Sequence, residues 1–129
     1  MGLIDEAREH LQSVFGFSEF RAGQEEIIAA ILAGENVFAV MPTGSGKSLC
    51  YQLPAIVDGG LTVVVSPLIA LMRDQVKALE ALGVAAGCLN SANAPEENRR
   101  IEDAVKAGTL RILYAAPERL ARSDTRALL

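Results

Sequence analysis

Short apolar runs alternate with helical segments along most of this chain, and this alternation limits the possible folds more than any other feature of the sequence. The clearest run is residues 61–66 (LTVVVS), which contain no charged side chain and predict a strand buried on both faces. The clearest helix follows over residues 68–82, where apolar side chains recur at helical spacing. Strands that alternate with helices of this length form parallel sheets covered by helices, so the sequence predicts an α/β fold.

The other predicted elements repeat the same order. Two helices open the chain, over residues 4–15 and from about residue 24 to a stop signal at Gly34. Pro54 is expected to kink or end the helix that begins near residue 48. Further strands are predicted at residues 36–40, 84–89 and 111–115, and further helices at residues 95–108 and from Pro117 onward.

The composition limits the class of protein. The 129 residues have room for one domain, and 50% of them are hydrophobic, which excludes a disordered chain. The formal net charge of −4 argues against a simple basic nucleic-acid-binding module, so any phosphate contacts must come from local placement of cations. The sequence contains no run of 18 apolar residues, so it predicts no membrane span. The two cysteines lie far apart in the sequence and support neither a disulfide scaffold nor a zinc site. We therefore expect a cytoplasmic protein without a membrane partner.

The strongest chemical signal is a glycine-rich segment, MPTGSGKS at residues 41–48, between a predicted strand and a predicted helix. Glycines let several backbone N–H groups converge on the oxygens of a polyphosphate, and the following helix adds its positive end. Lys47 is placed to reach the β- and γ-phosphates, and the Ser48 hydroxyl to bind Mg²⁺. The residues assigned to the nucleotide phosphates are Thr43, Gly44, Ser45, Gly46, Lys47 and Ser48.

Met41 stands where the generic phosphate-binding motif has a glycine, so the match rests on the later part of the segment and on its strand–loop–helix context. The alternative is a glycine-rich turn with a solvated lysine, and the context favours phosphate binding over it.

A second part of a nucleotide pocket is suggested upstream. Gln24 lies 23 residues before Lys47, and a carboxamide can pair with both the N6 amine and N7 of adenine. The Phe17 ring and the flat guanidinium of Arg21 could stack on the base. On spacing alone, such a glutamine is more often a capping or surface residue and such aromatic side chains more often belong to a core, so both interpretations stay open.

Five segments, in order along most of the chain, resemble the motifs of the RecQ family of DNA helicases, and most closely those of its bacterial members. Residues 15–28 (FGFSEFRAGQEEII) resemble the motif that precedes that family's phosphate loop. Residues 41–55 (MPTGSGKSLCYQLPA) resemble the loop itself, including its departure from glycine at the first position. Residues 63–76 (VVVSPLIALMRDQV) are similar to the third motif, and residues 88–91 (CLNS) and 114–120 (YAAPERL) to the next two.

The resemblance implies the first RecA-like domain of a superfamily 2 helicase, a P-loop α/β domain with a mainly parallel sheet flanked by helices. It also implies ATP-driven 3′-to-5′ unwinding of DNA in recombination and repair, with ATP and Mg²⁺ as cofactors and single-stranded and partly duplex DNA as partners. Phe17, Arg21 and Gln24 would hold the adenine, and Lys47 and Ser48 would be catalytic. The residues implied along the DNA strand are Ser66, Pro67, Leu68, Asn90, Ser91, Pro117, Glu118 and Arg119.

The family's Asp-Glu-Ala-His motif does not occur in these 129 residues. The resemblance therefore implies a partial domain, incomplete at its C-terminus, in which residues 1–35 hold the N-terminal helices with the adenine motif and residues 36–129 hold the P-loop and the following βα units. We expect such a piece to expose apolar surface and sheet edges, and to lack hydrolysis and unwinding without the remainder of the helicase.

Two other functions stay open at this point. One is a non-catalytic nucleotide- or partner-binding module that keeps the phosphate loop. The other is an unrelated kinase or transferase, in which substitution of Gln24 would leave the choice of nucleotide unchanged.

Overall fold

Three parallel strands form the sheet in the computed structural model, which describes residues 2–41 and 46–129. The strands are β1 (Thr62–Val65), β2 (Ala86–Leu89) and β3 (Ile112–Ala115), and β3 lies between the other two. All four residues of β3 are buried, as expected for an apolar strand with a neighbour on each side. The predicted α/β fold with a parallel sheet flanked by helices is thereby confirmed.

The helices belong to two compact units of the chain, divided after residue 59. In the first unit lie α1 (Leu3–Ser13), α2 (Gln24–Leu32) and α3 (Leu49–Asp58). In the second unit lie α4 (Ile69–Ala81), α5 (Pro95–Ala107), α6 (Pro117–Leu120) and α7 (Ser123–Leu128). These bounds agree with the predicted helices to within a few residues. The helix around Pro54 does not end there, because α3 continues to Asp58.

The first unit has a core of its own, built by the inward faces of its three helices. Its buried members are Ala7, Leu11, Ile28, Leu49, Cys50 and Leu53. Asp5 and Glu6 lie in the first turn of α1, where the helix dipole favours negative charge. A surface ion pair between Arg8 of α1 and Glu25 of α2 also joins two of these helices.

In the second unit, α4 and α5 both pack against β2. The approach of α5 is close, because a Cβ atom added to Gly87 would lie 3.2 Å from Cγ2 of Ile101. A small buried cluster continues the core between α5 and the strands, and it comprises Leu89, Ile101, Leu110 and Leu113. Cys88 on β2 and Cys50 on α3 are free thiols, and both are buried.

The predicted strand at residues 36–40 is wrong. These residues have no regular secondary structure, and the side chains of Phe38 and Val40 are 94% and 86% exposed. An isolated apolar segment is not a strand until it pairs with another, and within the described residues the three strands pair only with one another.

The prediction that β1 is buried on both faces is also wrong. Val63 and Val65 are 37% and 55% exposed, whereas the alternate residues Thr62 and Val64 are half-buried. β1 pairs with β3 alone among the described strands, so it is an edge strand with one open face. This open apolar face agrees with the expectation of uncovered apolar surface and an unpaired sheet edge.

Candidate functional site

The carboxyl ends of the three strands lie side by side. The strand register aligns Val65 of β1 and Leu89 of β2 with Ala115 of β3. Backbone hydrogen bonds of 3.2 Å continue this row, from the Ser66 N–H to the Ala115 carbonyl and from the Ala116 N–H to the Leu89 carbonyl. Ligands of parallel α/β sheets bind at this edge. The three segments predicted to follow a DNA strand all begin here, at residues 66–68, 90–91 and 117–119.

The segment after β1 is a short turn held by its own serine. The Ser66 Oγ accepts a hydrogen bond of 3.2 Å from the Leu68 N–H. Pro67 is exposed and the Leu68 side chain is 58% exposed. This turn therefore presents two apolar side chains, together with a hydroxyl that still has its proton to donate.

The segment after β2 is built around a fully buried asparagine. The Asn90 Oδ1 accepts hydrogen bonds from the N–H groups of Ala92 and Asn93, at 2.8 and 3.0 Å, and its Nδ2 donates to the Cys88 Sγ at 3.0 Å. Burial raises the pKa of the Cys88 thiol, which therefore stays protonated near neutral pH. The side chain of Asn90 is thus used within its own turn, and Ser91 is the exposed member of the predicted pair.

The segment after β3 combines an exposed start with a buried arginine. Pro117 and Glu118 are exposed, whereas Arg119 is 7% exposed and its Nη2 donates to the Glu102 Oε1 of α5 at 2.5 Å. The Arg119 Nε is buried and has no hydrogen-bond partner among the described residues. Arg119 therefore ties α6 to α5 in this structure, and its guanidinium does not lie open on the surface.

A cleft of ≈ 430 Å³ connects the segments after β2 and β3. Ser91 and Arg119 both line it, and α5 contributes Asn98 and Arg99. Arg122 at its margin forms two hydrogen bonds with Asp124, of 3.0 and 2.7 Å, which lower the pKa of that carboxyl. Two of the predicted DNA segments are thus brought to one polar cleft that also contains arginine side chains.

In the first unit, the described end of the glycine-rich segment leads into α3. Gly46 has a φ of 78°, a left-handed conformation that glycine adopts without strain. Lys47 is exposed and Ser48 is the N-cap residue of α3. A lysine and a hydroxyl at a helix N-terminus suit a polyphosphate, because the helix end attracts negative charge. Three predicted site residues, Thr43, Gly44 and Ser45, lie outside the described residues.

Gln24 connects the predicted adenine motif to the glycine-rich segment. Its Oε1 accepts a hydrogen bond of 2.8 Å from the Arg21 N–H, and its Nε2 donates one of 3.0 Å to the Gly46 carbonyl. The side chain is 2% exposed, so Gln24 is neither a surface residue nor a side-chain cap of α2. A carboxamide can form four hydrogen bonds, and these two account for half of them.

The three phenylalanines near Gln24 have different environments. Phe15 and Phe20 pack against the core of the first unit. Phe17 is 50% exposed and Arg21 is also exposed. The two residues predicted to stack on a base are therefore the ones whose side chains reach the surface.

Sequence reasoning missed three residues that shape the cleft: Asn93, Asn98 and Glu102. Each acts through a side-chain contact with another segment, and no motif assigns any of them. One signal was available for Asn98, since it lies three residues before the buried Ile101 and so falls on the inward face of α5. A polar residue on such a face usually has a specific hydrogen-bond partner.

The two units also differ in charge. The first unit contains three basic and eight acidic side chains, and the second contains nine and eight. The described residues include no group of three or more His, Cys, Asp or Glu side chains suited to hold a metal ion. Across residues 2–41 and 46–129, no helix is both long and apolar enough to cross a membrane.

A parallel α/β sheet with turns at its carboxyl edge, and a Gly-Lys-Ser sequence leading into a helix, are typical of P-loop proteins. A family model described as DEAD/DEAH box helicase matches residues 21–128 of the chain. This range includes the Gly-Lys-Ser sequence and all three strand-end segments. The chain therefore belongs to the DEAD/DEAH box helicase family.

Curated relatives include RecQ helicases, as the sequence motifs predicted. The chain is 50% identical over 110 residues to the ATP-dependent DNA helicase RecQ of Haemophilus influenzae, covering 85% of this chain and 18% of that protein. It is 43% identical over 119 residues to the Bacillus subtilis protein of the same name, covering 92% and 20%. It is 49% identical over 113 residues to the ATP-dependent DNA helicase Q-like 2 of Arabidopsis thaliana, covering 86% and 16%. The chain thus spans about a fifth or less of these relatives.

A solved structure supports the fold. The crystal structure of a hypothetical ATP-dependent RNA helicase from Sulfolobus tokodaii matches 98% of this chain and 37% of its own, with a TM-score of 0.69 and 23% identity. This likeness confirms the predicted RecA-like helicase fold.

Proposed function

We propose that this chain binds ATP with Mg²⁺ through its first unit and contacts single-stranded DNA through the strand-end segments of its second unit, as part of an ATP-dependent DNA helicase. The observation that carries the nucleotide part is the Gln24 side chain, which bonds to both Arg21 and Gly46. These contacts bring the predicted adenine motif against the start of the helix that would receive the phosphates.

The hydrogen-bonding groups of Gln24 that remain after its two bonds are complementary to adenine. After the bonds to Arg21 and Gly46, the carboxamide has one more lone pair on Oε1 and one more N–H on Nε2. The N6 amine of adenine needs an acceptor and N7 needs a donor, whereas guanine presents a carbonyl in place of the amine. The exposed ring of Phe17 and the guanidinium of Arg21 would cover the faces of the base.

The phosphates would lie at the start of α3. Lys47 would contact the β- and γ-phosphates, and the backbone of residues 43–46 would surround them. Mg²⁺ bound to a nucleotide takes most of its ligands from phosphates and water, so the Ser48 hydroxyl would add one oxygen from the protein.

The strand-end segments of the second unit would contact DNA. The residues that would contact the strand directly are the ones exposed at one edge of the sheet: Pro67, Leu68, Ser91, Pro117 and Glu118. The buried residues Asn90 and Arg119 and the half-buried Ser66 would fix the shapes of these segments. The nearly balanced charge of this unit, compared with the acidic first unit, also favours a polyanion here.

The wider role is inferred from the resemblance and from the names of the relatives. We propose 3′-to-5′ translocation and unwinding of single-stranded and partly duplex DNA, in recombination and repair in the cytoplasm, by a helicase of which this chain forms part of the first RecA-like domain.

Calorimetric titration of the purified chain with Mg-ATP tests the nucleotide part. We expect Lys47→Ala to weaken binding by at least about tenfold, because it removes the cation nearest the phosphates. Lys77→Ala, which removes an exposed lysine from α4, serves as the matched control and should bind as the unaltered chain does. Equal binding by the Lys47→Ala variant, or no binding by the unaltered chain, would contradict the proposal.

We expect ATP binding without appreciable hydrolysis by this chain. P-loop ATPases orient water and hold Mg²⁺ with an acidic residue, and the Asp-Glu-Ala-His motif that would provide it is not in the sequence. A phosphate-release assay with and without single-stranded DNA checks this expectation. A DNA-stimulated rate that is lost in Lys47→Ala would show it to be wrong.

A further inference from the structure

The turn after β2 is fastened to α5 by two asparagine side chains. The Asn98 Nδ2 donates a hydrogen bond of 3.1 Å to the Asn90 carbonyl, and the Asn98 Oδ1 accepts one of 3.0 Å from the Asn93 Nδ2. The same Asn93 Nδ2 also donates to the Cys88 carbonyl at 2.6 Å. These bonds connect the end of β2, the turn and the first turn of α5 in one network.

We propose that Asn98 is a positioning residue, which holds the turn so that Ser91 faces the cleft and contacts the DNA strand. The DNA contact in this inference rests on the proposed function, but the holding of the turn does not. Asn98 is buried, whereas Ser91, one residue beyond the carbonyl that Asn98 fixes, is exposed on the cleft. The network therefore acts on the exposed residue through the backbone.

Asn98 is suited to this role because its own position is fixed. Its backbone N–H donates to the Ala94 carbonyl at 3.2 Å in the first turn of α5, and the helix packs on β2. A short side chain on a fixed helix has few rotamers to lose when it bonds to the turn. Removal of its carboxamide would leave the buried carbonyl of Asn90 without this donor, and the turn would gain freedom to move.

Amide hydrogen exchange measures, without any ligand, how strongly Asn98 restrains the turn after β2. The amides of Ala92 and Asn93 donate to the Asn90 Oδ1, so their exchange reports on the geometry of the turn. We expect Asn98→Ala to speed exchange at both amides by at least about threefold, and Asn98→Gln, which keeps both polar groups, to recover part of the protection. Gln12→Ala, which removes an exposed carboxamide from α1, is the matched control and should leave both amides unchanged.

Binding of a fluorescent single-stranded oligonucleotide measures the functional consequence. We expect Asn98→Ala to weaken it by about two- to tenfold, with partial recovery in Asn98→Gln and no change in Gln12→Ala. The affinity for Mg-ATP should stay unchanged in all three variants. General destabilisation of the chain would not weaken oligonucleotide binding while leaving Mg-ATP binding unchanged.

The outcomes separate the inference from the proposed function. Failure of the unaltered chain to bind the oligonucleotide would refute the DNA part of the proposed function, and exchange at Ala92 and Asn93 would then decide whether Asn98 holds the turn. Unchanged exchange in Asn98→Ala, or oligonucleotide binding equal to that of the unaltered chain, would overturn the inference.

Discussion

The two units both use a buried carboxamide to shape a proposed ligand-binding segment, but they use it in different ways. In the first unit, Gln24 accepts a hydrogen bond from Arg21 with one lone pair of Oε1. It also donates one N–H of Nε2 to Gly46, 22 residues further along the chain. In the second unit, the Asn90 Oδ1 accepts hydrogen bonds from two amides of its own turn, and its Nδ2 donates to the Cys88 Sγ. Gln24 therefore retains hydrogen-bonding groups for a ligand, whereas Asn90 would act on a ligand only through the shape of its turn.

The burial of a motif residue therefore does not by itself decide its role. Gln24 and Asn90 are 2% and 0% exposed, and both belong to segments that resemble helicase motifs. What separates them is the number of hydrogen bonds that each amide already makes and whether those bonds are local.

The largest expected effect is that of Asn90→Ala. The substitution leaves two turn amides without their acceptor and opens a gap beside Cys88, so we expect the free energy of unfolding to fall by about 3 kcal/mol. Chemical denaturation of the variant, beside Gln12→Ala as a control with a change below about 0.5 kcal/mol, measures this. A loss as small as that of the control would show that the Asn90 bonds do not hold the turn.

A smaller loss is expected for Gly46→Ala. Gly46 has a left-handed φ, and a Cβ there would lie 2.5 Å from the Gln24 Nε2, so the glutamine must move away from its carbonyl partner. We expect a loss of about 2 kcal/mol and a weaker affinity for Mg-ATP, as measured by denaturation and calorimetry. Gly34→Ala, at a glycine of similar φ with nothing near its added Cβ, separates backbone strain from the effect on Gln24. Equal ATP affinity in the two variants would contradict a role for the Gln24–Gly46 contact.

A half-buried and an exposed ion pair are expected to differ in their effect on stability. Glu102→Ala leaves the buried guanidinium of Arg119 without its partner, and we expect a loss of about 2 kcal/mol in the free energy of unfolding. Glu25→Ala breaks the exposed pair with Arg8 and should change the same quantity by less than about 0.5 kcal/mol. Equal losses in the two variants would mean that Arg119 does not depend on Glu102.

The sequence was most informative where a pattern is local. Helix bounds followed from periodicity and from stop signals such as Gly108, whose φ of 72° ends α5 as expected. The identity of the strand-end segments followed from short motifs at the ends of apolar runs. Residues 36–40 and β1 were mispredicted because strand formation and two-sided burial depend on neighbours that no local pattern contains.

The same limit applies to the site. Gln24 could be proposed from its spacing to Lys47 and from the resemblance, but its bond to the Gly46 carbonyl could not. Asn98 bonds to residues five and eight positions before it, and Glu102 bonds to a residue 17 positions after it, so their roles depend on contacts between segments that no motif contains. Motifs therefore indicate candidate segments, and the structure separates their exposed residues from the buried ones that support them.

The most direct test of the account is the nucleotide preference of Gln24 variants. Calorimetry with Mg-ATP and Mg-GTP is performed on the unaltered chain, on Gln24→Ala and on Gln24→Glu, which keeps an acceptor for Arg21 but loses the donor for Gly46 and for N7 of adenine. Gln12→Ala is the control. We expect the unaltered chain and the control to prefer ATP over GTP by at least about tenfold, and both Gln24 variants to lose this preference. Retention of the full preference in folded Gln24 variants would show that Gln24 does not recognise adenine, and would contradict the account.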